Sequence, residues 1–343
     1  MSLQSNEKII EEGISDIIKS DKLIIRNIPL IDKLMNILYT ELSKYDLSCE
    51  DIVGKSKIYS IEERINSVKD FYKRHNINFN IDEIINDGTI DFIHELPKEY
   101  YSETQYENEI NKFSKYNPDL GGYQHFENKK NLIDIYNTGY LFDSVILTHE
   151  ISHYRDQYID SNEISDLFTE VLAFTECTIM AKESLTNEEY IYYVKNQFNA
   201  YYHFASCERL LYDFMTLYKK LGYISYENYC LLFGNISQND YIDKVDTIIK
   251  SKYNIYNGAR YTIAGLLVPY LLNKYEKDNS FFNTILELHD SINKDTLNQI
   301  LSKMGLSFGN NNDIINKENI KILVDNIGEF LNRELVKEVI KWK

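Results

Sequence analysis

The chain has 343 residues, 43% hydrophobic and 26% charged, which is enough for a large buried core and fits one big domain or two modest ones. Its net charge of −16 makes nucleic acid and anionic membrane surfaces poor partners. The scattered cysteines Cys49, Cys177, Cys207 and Cys230 form no disulfide framework, no run is apolar enough to span a bilayer, and the first residues lack a basic-then-apolar leader, so a cytoplasmic protein is expected.

With 13 Gly and 4 Pro the chain has few breakers. Apolar residues recur at helical spacing in "IPLIDKLMNILYTELSKY" (28–45) and "IEERINSVKDFYKRH" (61–75), which predicts helices. The texture changes near residue 117. Pro118, Gly121, Gly122 and Gly139 flank two short segments, "GYQHF" and "LIDIY", which read as strands paired through "ENKKN". Helix returns at about Tyr140 and continues to the C-terminus. The expected architecture is mainly α with a small antiparallel β-sheet, divided into a helical region over 1–115 and a catalytic domain over 116–343.

The informative stretch is "LTHEISHYR" (147–155). On a helix, His149 and His153 stand one turn apart on one face, where two imidazoles can bind one Zn²⁺ at about 2.0–2.1 Å each. Glu150, next to the first ligand, reaches a water on that metal and not the metal itself, so it suits a general base. The bland alternative is a histidine pair on a solvated or core-capping face, and a third ligand separates the two.

Catalytic zinc takes three protein ligands and keeps one position open. Ile159 stands where a metzincin would carry its third His, and the nearest upstream cysteine is the distant Cys49. A carboxylate on the following helix, "NEISDLFTEVLAFTECTIMAKE", remains. Glu170 is the expected ligand, with the small Ala173 on its face allowing close helix approach. Glu176 is the rival, about 240° round the helix, with a solvent-facing charge or a partner behind the ligands as its other readings.

Around these residues, "NTGYLFDSVILTHEISH" resembles the approach to the zinc helix in the oligoendopeptidase F and thimet oligopeptidase family of M3 metallopeptidases, through Asn137, Gly139, Leu141, Asp143 and Leu147. "DLFTEVLAFTE" resembles the family segment that carries the third ligand, and the match falls on Glu170. "YHFASCERLLYDFMTLYKKLGYISYENYCLLFG", "ARYTIAGLLVPYLL" and the C-terminal helices are similar to later family segments, so the resemblance spans roughly residues 117–340. Ser152 and Asp156 stand where the family usually has Gly and His, and the region before the motif is much shorter than the family's.

The resemblance implies a zincin-like, gluzincin-type catalytic domain with one Zn²⁺ per chain, acting as a metalloendopeptidase on oligopeptides in extended form. "LIDIY" would be the edge strand that pairs with the substrate backbone. Tyrosines before a Gly segment would supply the oxyanion donor; Tyr253, Tyr256 and Tyr261 precede Gly265, and Tyr256 and Tyr261 are favoured. His203 and His125 are further candidates to touch substrate. Asp143, off the ligand face, could cap the zinc helix or orient a ligand. His75, His94 and His289 show no companion residues. The alternative is a catalytically weak or inactive peptide-binding helical protein with a structural zinc site.

Overall fold

The computed structural model describes residues 3–19, 28–49, 56–93, 121–127, 130–156, 163–250, 255–292, 294–306 and 317–335. Helices α1 (Leu3–Lys19), α2 (Ile28–Leu42), α3 (Ile61–Arg74) and α4 (Ile81–Asn86) precede strands β1 (Ile90–Ile93), β2 (Gly122–Glu127) and β3 (Lys130–Tyr136). Then come α5 (Phe142–Asp156), α6 (Glu163–Ser184), α7 (Asn187–Leu221), α8 (Tyr226–Phe233), α9 (Gln238–Lys250), α10 (Ile255–Lys277), α11 (Phe282–Ser291), α12 (Leu297–Met304) and α13 (Lys317–Leu335). The protein is mainly helical, and no helix among the described residues is long and apolar enough to cross a membrane.

Local chemistry fixes the helix ends. At α3, the Ser60 hydroxyl accepts from the Glu63 N–H (3.1 Å) and the Glu63 carboxylate accepts from the Ser60 N–H (2.7 Å), a reciprocal cap. Thr186 and Glu189 repeat that arrangement at the start of α7, which ends on Gly222 in the left-handed region at φ 82°.

The core is built around α10. Ile263, Ala264, Leu266, Leu267, Val268, Leu271 and Leu272 bury every side of this helix, which therefore has to be interior. It packs against α2, α6, α7 and α13. A Cβ at Gly265 would lie 2.7 Å from Leu38 Cδ2 and 3.3 Å from Tyr201 Cβ, so this glycine sets the close approach of α10 to α2 and α7. The N-terminal helices share the same core: α2 lies on α7 and α10, and α3 on α5.

The sheet departs from expectation. The hairpin of β2 and β3 is antiparallel as read, with Gly122 opposite Ile135 and Glu127 opposite Lys130. However, β1 adds to the other side of β3 in parallel, Ile90 opposite Ile133, so the order is β1-β3-β2 and the sheet is not antiparallel throughout. Consequently "LIDIY", in β3, is a central strand and not an edge. Among the described residues, the edge strand beside the metal-ligand helix is β2. Tyr136 N–H donates to Gly121 C=O at 3.2 Å, which sets the alternation along the hairpin. Gly122, Gln124 and Phe126 thereby turn their backbone N–H and C=O groups away from β3.

Candidate metal centre

The motif lies on α5, one of the most buried helices of the chain. Its start is fixed by Asp143, whose carboxylate accepts from the Thr138 N–H (3.0 Å), the Gly139 N–H (3.2 Å) and the Thr138 hydroxyl. Arg64 of α3, 2% exposed, pairs with the same carboxylate and donates to Asn137 Oδ1 at 2.8 Å. Asp143 therefore pins the turn into α5. Burial pushes its pKa up, against the pull of Thr138 and Arg64.

One helical turn later the spacing does what it implies. His149 Nε2 and His153 Nε2 lie 3.0 Å apart, with the rings edge to face. The neighbouring α6 packs along α5 and brings Glu170 Oε2 to 3.5 Å from His149 Nε2 and 3.4 Å from His153 Nε2. Ala173, fully buried, lies on the same stretch of α6. Glu170 Oε2 is buried yet aligned for a hydrogen bond with neither imidazole.

These three atoms fit a metal. Bonds of about 2.0–2.1 Å at tetrahedral angles separate ligand atoms by about 3.3 Å, and the three distances here bracket that value. A carboxylate buried this deeply needs positive charge beside it, which either a protonated imidazole or a bound cation supplies. No other group of three or more His, Cys, Asp or Glu among the described residues converges in this way.

Without an ion, the carboxylate and the imidazoles stabilise one another's charges, and a bound metal would displace the imidazolium proton. Burial alone would lower the pKa of His153, but the carboxylates of Glu170, Glu150 and Asp156 together outweigh it and the ring is carried up to about 9. Glu170 itself is held far below the usual carboxylate range despite its burial, by the two histidines. Burial pushes the Glu150 carboxyl up, partly offset by His149 and His153.

A cavity of about 630 Å³ adjoins this centre on the side of His149 and Glu150. His149 and Glu150 form part of its floor with Phe142, Ile146 and Phe174; Gly121 and Gly122 of the β2 edge lie on one side, and Tyr192, Asn196 and His203 of α7 on another. Tyr261 of α10 also lines it. Burial, then the charges of Glu170 and Glu150, raise the Tyr261 pKa well above its ordinary value, so the hydroxyl stays protonated. Tyr253, His94 and the side chains of Tyr256, His125 and Cys207 lie outside the described residues.

Two sequence readings are corrected here. Glu176 is no solvent-facing charge: it is fully buried and takes both Arg155 guanidinium nitrogens at 2.9 Å. His289 is not without companions. Its Nε2 lies 2.9 Å from Glu176 Oε1 and its Nδ1 2.7 Å from Asp156 Oδ1. Arg155, Glu176, His289 and Asp156 thus form a buried quartet of alternating charge behind the metal face, joining α5, α6 and α11. His75 likewise pairs with Glu183, at 2.8 Å.

Sequence reasoning also missed what surrounds His149. Phe174 lays its ring 4.5 Å from the imidazole, and Cys177 Sγ lies 3.7 Å from Nδ1. The available signal was their spacing on α6, four and seven residues after Glu170 and so on one face.

No protein-family model matches the sequence, and no curated protein matches it. Among solved structures, one described as a "putative oligoendopeptidase F from Bacillus anthracis str. Ames" is similar over 95% of this chain and 56% of its own, at 13% identity and a TM-score of 0.46. This chain thus spans little more than half of that protein's length. A likeness at this level establishes neither a shared fold nor an activity.

Proposed function

We propose that the protein is a zinc-dependent endopeptidase of the M3 type, with a zincin-like catalytic domain, and that it hydrolyses oligopeptides bound in extended form. His149, His153 and Glu170 hold the ion and Glu150 is the general base. The single observation that carries the reading is the triangle of two imidazole nitrogens and one buried carboxylate oxygen, with Glu150 of the histidine helix lining the adjoining cavity.

When bound, zinc supplies Lewis acidity towards the scissile carbonyl and acidifies water. The chain's own residues do the rest. Glu150 takes a proton from the attacking water on its carboxylate and passes it to the departing amine, a task suited to a carboxylate made more basic by burial. Tyr261, kept protonated, donates a hydrogen bond to the oxyanion; Tyr256, on the same helix, is the second candidate. The outward backbone groups of Gly122 and Gln124 accept and donate to an extended peptide laid along β2, which aligns its backbone without reading its side chains.

The test is hydrolysis of a quenched fluorescent peptide mixture by wild type and Glu150→Gln. Loss of turnover with zinc content preserved is expected. Undiminished turnover in that variant would remove the mechanism, and zinc bound by a wild type that never cleaves would favour the inactive peptide-binding alternative.

A further inference from the structure

The ring of His149 is held from three sides by one face of α6: Glu170 at Nε2, Phe174 against the ring, and Cys177 at Nδ1. An imidazole that gives Nε2 to a metal carries its proton on Nδ1, and that proton needs an acceptor. In this chain the atom facing Nδ1 is a thiol sulfur.

The sulfur is itself placed by a buried chain of hydrogen bonds. Cys177 Sγ lies 3.0 Å from the Tyr193 hydroxyl, which lies 3.4 Å from Thr178 Oγ1. Thr178 donates to Gln197 Oε1 (3.0 Å), and Gln197 Nε2 donates to the Tyr201 hydroxyl (2.7 Å). These contacts admit a consistent polarity. Because Thr178 commits its proton to Gln197, its oxygen can accept from Tyr193, and the Tyr193 oxygen can accept the thiol proton. Phe174 C=O, 3.5 Å from the sulfur, is a second acceptor for that proton. In either case the sulfur keeps lone pairs for His149.

We infer that Cys177 is a positioning residue: its sulfur accepts the Nδ1 proton of His149, which fixes the tautomer and presents Nε2 to the metal, and Tyr193 holds the sulfur in place. This rests on the metal-centre reading above. A carboxylate or carbonyl is the common partner for such a proton; a neutral thiol is a weaker acceptor and leaves the imidazole a softer hold on the ion.

The experiment has two arms. Zinc affinity is measured by chelator competition for wild type, Cys177→Ala, Cys177→Ser and Tyr193→Phe. The His149 tautomer is read from imidazole ¹⁵N shifts of the metal-free wild type. The expected result is an Nδ1–H tautomer, affinity about 10–100-fold weaker for Cys177→Ala, recovery towards wild type for Cys177→Ser, and an intermediate value for Tyr193→Phe. Wild-type affinity in Cys177→Ala, equal losses in the Ala and Ser variants, or an Nε2–H tautomer in wild type would each overturn the inference. A wild type that takes up no zinc would instead remove the metal-centre reading, while an Nε2–H tautomer of His149 in metal-free protein would overturn the Cys177 contact on its own.

Discussion

Arg155 and Glu176 face each other across the α5–α6 interface, each guanidinium nitrogen 2.9 Å from its own carboxylate oxygen, with Glu176 fully buried. The pair ties together the two helices that carry the candidate ligands. It also separates the two glutamates of α6 by role: Glu170 meets the histidines and Glu176 secures the helices. Replacing Glu176 by Gln removes the buried carboxylate that lies between Arg155 and His289, and a loss of about 3–5 kcal/mol in unfolding free energy is expected by denaturant titration. Glu170→Gln should instead remove zinc affinity. The reverse pattern would move the ligand to Glu176.

The quartet also sets a pH dependence. Burial disfavours protonated His289, but Asp156 and Glu176 outweigh it and carry its pKa from 6.5 up to about 9. Its stabilisation is complete below 6.5 and is lost as pH rises through about 9. Burial likewise opposes ionised Glu176, but Arg155 and His289 carry it from 4.5 down to about 2, so its stabilisation is present above 4.5 and is lost as pH falls towards 2. For metal-free protein, the gap in melting temperature between wild type and His289→Gln should therefore narrow as pH rises from 6.5 through 9. A gap independent of pH over that range would mean that His289 is neutral in the fold.

Gly122 lets the β2 edge lie against α5. A Cβ there would meet Ile135 Cδ1 at 2.7 Å, Asp134 C=O at 2.9 Å and Ile146 Cγ2 at 3.0 Å. The carbonyl is backbone and cannot swing aside. Gly122→Ala should destabilise by about 1–3 kcal/mol and raise KM for peptides, because the strand must lift from the helix beside the cavity. Unchanged KM would argue that the substrate backbone does not run along β2.

Tyr261 is the testable oxyanion donor. Tyr261→Phe should lower kcat by about 100-fold or more with little change in zinc content, since the hydroxyl acts in the transition state and not on the metal. Full kcat in this variant would shift the role to Tyr256 or His203.

Much of the candidate centre was legible because helix periodicity is local. His149, Glu150 and His153 follow from spacing, and Glu170 from the length of chain needed for an antiparallel return. The hairpin of β2 and β3 was legible from its flanking glycines. β1 was not: four residues, Ile90–Ile93, carry too little pattern, and their parallel pairing with β3 joins segments distant in sequence. That omission is why β3 read as an edge. The quartet was hidden for a similar reason. His289 is 133 residues from Asp156, and a lone histidine shows its carboxylates only once α11 is folded against α5 and α6.

The most direct test of the metal centre is zinc stoichiometry after equilibrium dialysis of wild type, His149→Ala, His153→Ala and Glu170→Ala. One ion retained per wild-type chain, and loss of retention in each variant, is the expected result. A wild-type chain that emerges without zinc, or variants that hold as much as wild type, would contradict the assignment of these three side chains to one ion.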